Sequence, residues 1–142
     1  MNWFHKLLLA LVPFCAALPS MALAGPVDDI QTLLNQSRQQ TMAMLSEKDK
    51  SVLEMRYEDA LASSKEIDAR LQSALADPAL KDKQATLAEF KTVWLVFKST
   101  RDREIVPLLM AGEQDQARAL AQKVQSGRFQ KMNELLGSAR TK

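Results

Sequence analysis

Apolar positions recur along this chain at three- and four-residue spacing, and no stretch alternates over a strand's length, so the pattern predicts helices throughout. Val27, Ile30, Leu33, Leu34, Thr41, Met44 and Leu45 mark a first helix from about Val27 to Leu45. Pro26 suits its first turn, and Asp28 and Asp29 complement the positive end of the helix dipole. The polar stretch Ser46 to Ser51 then interrupts the stripe, with Ser46 and Asp49 spaced as a capping box, although nothing there forbids one continuous helix. A second helix carries Leu53, Tyr57, Ala60, Leu61, Ser64, Ile67, Leu71 and Leu75.

Asp77-Pro78 is a sharper boundary, because proline disfavours helix at the residue before it and aspartate caps the helix after it. The third helix shows Leu87, Phe90, Trp94, Phe97, Arg101, Ile105 and Leu108, and Gly112 supplies the left-handed position that ends it. Pro107 removes one backbone donor inside that helix, which predicts a kink in its last turns. A fourth helix from about Glu113 to Leu136 turns Ala117, Leu120, Ala121, Val124, Arg128, Met132, Leu135 and Leu136 inward, and Gly137 closes it. Short loops make neighbours antiparallel. The expected fold is all-α, an up-down-up-down antiparallel four-helix bundle spanning residues 25–142.

A different pattern precedes the bundle. Lys6 leads into the apolar run Leu7 to Leu18, Pro19-Ser20 closes it, and Ala22-Leu23-Ala24 fits the small-x-small pattern of a signal-peptidase site. The run is short for a membrane span, and residues 1–24 read as a signal peptide with Gly25 as the new N-terminus. The rival is an uncleaved single-span anchor. The expected location is periplasmic, by export, in either case.

Composition then removes whole classes of chemistry. His5 and Cys15 are the chain's one histidine and one cysteine, and both lie in the leader. The mature chain therefore offers no Glu-x-x-His di-iron pair, no Cys-x-x-Cys-His haem site, no disulfide and no Ser-His nucleophile. No enzyme, metal or cofactor is expected. Without Lys6 the chain holds 18 basic against 17 acidic residues, alternating in sign along solvated helix faces. That is not the clustered excess of positive charge that nucleic-acid binding needs.

Two features stand out from the heptad background. Trp94 between Phe90 and Phe97 is the densest aromatic cluster, and at helical spacing it reads as core. Arg101 is the less ordinary one, since it continues the seam Leu87, Phe90, Trp94, Phe97 with a guanidinium. Antiparallel pairing places it near Glu54, Tyr57 and Glu58 on the second helix. A charge there must be paired or reach water, so Arg101 is a structural Arg–Glu bridge, a side chain that snorkels outward, or one arm of an anion-binding layer with Arg128. The candidate ligand-binding residues are Arg101, Arg128, Tyr57 and Glu54.

The third and fourth helices carry a resemblance. Phe90, Trp94 and Phe97, then Arg101 to Gly112 with its leucine-small-glycine turn, then Ala117 five residues later, resemble the four-helix-bundle sensor domain of methyl-accepting chemotaxis proteins. The stretches Tyr57 to Leu61 and Glu66 to Leu71 are similar to its second helix. The resemblance implies a module that senses a small molecule directly or through a partner protein. In such receptors an N-terminal apolar segment stays as a membrane helix, and a second span leads to cytoplasmic signalling modules. No second span or signalling module is read in this sequence. The expectation is a sensor-like bundle that binds a small ligand or docks on an inner-membrane receptor partner. A homodimer through an outer face is a further candidate arrangement. The alternative is a periplasmic structural or chaperone-like interaction protein with no small-molecule ligand.

Overall fold

The computed structural model describes residues 25–140, so the proposed leader and its cleavage site lie outside the described residues. Helix α1 spans Pro26–Met44 and α2 spans Lys50–Ala76. The break between them is real, and Asp49 makes it: its carboxylate accepts from the backbone N–H of Ser51 and Val52 and caps α2. The spacing of Ser46 and Asp49 suggests a cap one turn earlier, and the structure moves it to Asp49. The shorter Asp49 bond, 2.8 Å to Ser51, satisfies a donor that the first turn of a helix leaves orphaned.

Asp77 caps the next element in the same way, accepting from Ala79 N at 2.8 Å. The chain then makes a 3-10 turn, Pro78–Lys83, before α3 begins, Gln84–Thr100. A π-turn, Arg101–Ile105, joins α3 to α4, Val106–Met110. Gly112 has the chain's one positive glycine φ among the described residues, +85°, and ends this third rod as expected. The fourth rod comprises α5, Gln114–Leu120, a second π-turn, Ala121–Gln125, and α6, Ser126–Arg140.

The rods pack in a closed ring, α1 on α2, α2 on α3, α3 on α6 and α6 on α1. The result is the expected all-α antiparallel four-helix bundle. Both π-turns shift the seam by one residue, and this corrects two inward positions. Leu109 rather than Leu108 is buried, and Gln125 rather than Val124. Pro107 accounts for the first shift. It has no N–H to offer the carbonyl four residues back and its ring crowds that carbonyl, and the wider π-turn just before it relieves both. The disturbance expected at Pro107 thus takes the form of a widened turn.

Gly137 is corrected as well. It does not close the last helix, which continues to Arg140. Ala139 is buried beyond it, and Arg140 pairs with Asp28 on α1, so the final turn is held by packing and charge.

The core falls into two blocks. One, towards the termini, gathers residues of all four rods around Leu34, Ile67, Phe90, Trp94, Phe97 and Met132. The other, towards the Gly112 turn, gathers Met44, Leu45, Leu53, Ile105, Leu109 and Ala117. Trp94 and Phe90 are wholly buried in the first block, which makes the aromatic cluster core, in agreement with its helical spacing. The Trp94 indole N–H still finds an acceptor, Asp68 Oδ1 at 2.8 Å, and Lys98 closes that carboxylate from the outside.

Candidate functional site

Between the two blocks lies a layer of buried polar side chains: Ser37 and Thr41 on α1, Ser63 and Ser64 on α2, Thr100 and Arg101 at the first π-turn, and Gln125 at the second. Small side chains on α1 and α2 leave the room that a guanidinium needs. Thr41 and Ser64 return their own hydroxyl protons to helix carbonyls four residues back, at 3.0 and 2.7 Å. Their oxygens therefore stay available as acceptors inside the bundle.

Arg101 fills the centre of the layer and has no solvent exposure. Its Nη1 donates to Ser37 Oγ at 3.1 Å and Ser64 Oγ at 3.0 Å, with the Ala60 carbonyl at 3.5 Å. Its Nε donates to Asp102 Oδ1 at 2.7 Å. Nη2 is buried and has no hydrogen-bond partner. A buried guanidinium with an unmatched nitrogen is costly, since a buried donor without an acceptor forfeits about 1–3 kcal/mol.

Asp102, and not Glu54 or Glu58, is thus the carboxylate that pairs with Arg101. Glu54 and Glu58 are both exposed on α2. The expected Arg–Glu bridge is replaced by a bridge to the next residue in the chain. The reason is local. At the π-turn Asp102 stands beside Arg101 at the edge of the layer, with its side chain 29% exposed, so its charge keeps contact with water.

Tyr57 completes this edge. Its phenol lies close enough to feel both charges: its pKa is raised above the ordinary value, first by burial and then by the Asp102 charge, while Arg101 pulls the other way. Of the four residues singled out in the sequence, the structure brings Arg101 and Tyr57 together through Asp102. Arg128 lies in the same layer on the fourth rod, donating to Thr100 Oγ1 at 2.7 Å and Gln125 Oε1 at 3.2 Å. Gln125 in turn donates to the Phe97 carbonyl at 2.8 Å and ties the second π-turn to the end of α3. Glu54 is not part of the assembly.

Sequence reasoning passed over Ser37, Asp102 and Gln125. Ser37 had a signal, because it falls between Leu34 and Thr41 on the buried stripe of α1. Gln125 had none, since only the π-turn brings it inward. Next to the layer a small cleft of about 50 Å³ opens between α1 and the fourth rod, lined by Thr41, Phe97, Gln125 and Phe129 among others. Arg38 lies across its rim with its guanidinium 4.2 Å from the centre of the Phe129 ring. Among the described residues no cluster of His, Cys, Asp or Glu is arranged to hold a metal ion.

No curated protein and no solved structure matches this chain. The family model described as a four helix bundle sensory module for signal transduction matches residues 24–139, nearly all of the bundle and all of the buried layer. The chain belongs to this family of four-helix-bundle sensory modules.

Proposed function

We propose that this chain is an exported sensory bundle whose buried polar layer receives the stimulus, in the form of a small ligand. One observation carries the reading: Arg101 is held at the centre of the bundle with one nitrogen unmatched, between two buried apolar blocks. A bundle built for rigidity alone gains nothing from that arrangement, because an apolar residue of similar volume in place of a buried charge is often neutral or stabilising. A sensor needs a position where adding a ligand changes the balance between helices.

In this reading Arg101 and Tyr57 contact the ligand, and Arg128 braces the opposite side of the layer. Residues 1–24 act as a cleaved signal peptide and release a free periplasmic bundle. Sensory modules of this family are typically extracellular or periplasmic, and among the described residues no helix is long and apolar enough to cross a membrane. The bundle performs no catalysis of its own and hands its state to a membrane-protein partner.

A thermal-shift screen across amino acids, organic acids and metals tests the proposal. A saturable rise in melting temperature with one of these, lost in Arg101→Met, is the expected result. No response to any small molecule, together with co-purification of an inner-membrane protein, would shift the reading to a bundle that docks directly on its partner. Intact mass of the exported protein should begin at Gly25, and a species beginning at Met1 would overturn the cleavage.

A further inference from the structure

The guanidinium of arginine presents two edges to a carboxylate. Nε and Nη2 point the same way and form the side-on fork, which a carboxylate can grip with both oxygens. In this bundle Asp102 uses that fork for one bond only. Its Oδ1 accepts from Nε at 2.7 Å, while Nη2, the other tooth, has no acceptor. The Tyr57 phenol on α2 stands near the same carboxylate and feels its charge. A side chain so short, attached to the residue next to Arg101, has little reach to bring an oxygen to Nη2 as well.

Nη1 is occupied on the opposite side by Ser37 and Ser64. One of the two Nη2 N–H groups therefore lies on the Asp102 edge, where the layer reaches towards solvent: Asp102 is 29% exposed and Tyr57 is half-buried. The cleft of about 50 Å³ beside the layer is lined by other residues and includes neither Asp102 nor Tyr57. Room for a ligand at the Asp102 edge is the room that its carboxylate itself takes up.

We propose that Asp102 is a tethered stand-in for the ligand, and that a small carboxylate displaces it to grip Nε and Nη2 of Arg101 together. The exchange replaces a one-point pair with a two-point pair and matches the buried nitrogen. It also frees Asp102 to water, away from Tyr57, and so changes the electrostatic contact between α2 and the first π-turn. This inference rests on the reading of the buried layer as the stimulus-receiving layer. It names the ligand's chemistry and assigns Asp102 the role of internal competitor.

The test uses formate and acetate as probes, against chloride at matched ionic strength. Asp102→Ala empties the space beside the fork, so both probes should raise its melting temperature saturably. Tethering gives the aspartate a high effective concentration, so the wild-type chain should bind the same probes at least about tenfold more weakly, yet measurably. Arg101→Met should abolish each response. Where Asp102→Ala fails to melt cooperatively, Asp102→Asn keeps the volume without the charge and should bind the probes more tightly than wild type.

Stabilisation of neither variant by either probe would overturn the carboxylate site. Equal affinity of the wild type and the Asp102 variants for the probes would overturn the displacement. A different compound that stabilises the wild type through Arg101, while the carboxylates do not, would leave the layer as the sensing site and remove only this inference.

Discussion

Arg101 is a single charged side chain in a seam of aliphatic and aromatic neighbours, and the bundle is arranged around it. Replacement by alanine removes the guanidinium from Ser37, Ser64 and Asp102 at once and leaves a void in the layer. Breaking one side of a buried pair costs about 3–5 kcal/mol, and Asp102's contact with water places Arg101→Ala near the low end, at about 3 kcal/mol in urea unfolding. Tyr57 gives a second handle, because it is the chain's single tyrosine and its phenolate absorbance reads one group. Its folded pKa lies above 10.0, raised by burial and by Asp102. Below about pH 10 the phenol is protonated in folded and unfolded chains alike, and its contribution is present in full. As the pH rises beyond that, the unfolded chain ionises first, so stability falls until Tyr57 ionises in the fold too. Tyr57→Phe should flatten this part of the pH–stability curve, and an absorbance titration of the native chain should show a midpoint above 10. At this scale the sequence was partly legible. Arg101 stood out because a guanidinium broke an apolar period, and Tyr57 because helix pairing put it opposite. Asp102 was hidden by its adjacency: neighbouring residues on a regular helix point apart, and only a π-turn lets this pair meet at the layer.

Among the elements, the boundaries were written in short-range chemistry. Asp49 caps α2, Asp77 caps the 3-10 turn before α3, and Gly112 takes the left-handed conformation that ends the third rod. Gly112 and Gly137 make a testable contrast. Gly112→Ala meets no neighbour within 4 Å, so its cost is the backbone conformation alone, about 1–2 kcal/mol. Gly137 lies inside α6 and a methyl group there is equally unobstructed. Gly137→Ala should therefore stabilise the chain by about 0.5–1 kcal/mol, seen as opposite shifts of the two denaturation midpoints. The role read for Gly137 failed because a glycine after a leucine pair looks the same whether a helix stops there or runs on. The deciding contacts are tertiary: Ala139 packs into the core and Arg140 reaches Asp28 on α1. The π-turns were illegible for a related reason. Heptad bookkeeping assumes a constant period, and one extra residue per turn moves Leu109 and Gln125 inward without a local mark, save for Pro107 in the first case.

Across the whole molecule, the fold class and the ring of four antiparallel rods followed from period, caps and loop length alone. The division of the core did not. It depends on which short side chains of α1 and α2 meet the two π-turns, a matter of three-dimensional register. That division separates a larger hydrophobic block at the termini, with buried Phe90, Trp94 and Phe97, from a smaller, mainly aliphatic one at the Gly112 turn. Cooperativity in a bundle travels through continuous apolar contact, and here hydrogen bonds interrupt it halfway along. Native-state hydrogen exchange should then resolve two groups of amides. Those of α4, α5 and the start of α2 should open at lower free energy, while those of α3, α6 and the end of α2 persist towards the global limit. A single isotherm shared by all slow amides would contradict this. If the two groups appear, the bundle is two coupled springs of unequal stiffness with Arg101 as the clasp between them. Loosening the clasp would let the softer end move while the stiffer end, where the chain enters and leaves, holds its shape.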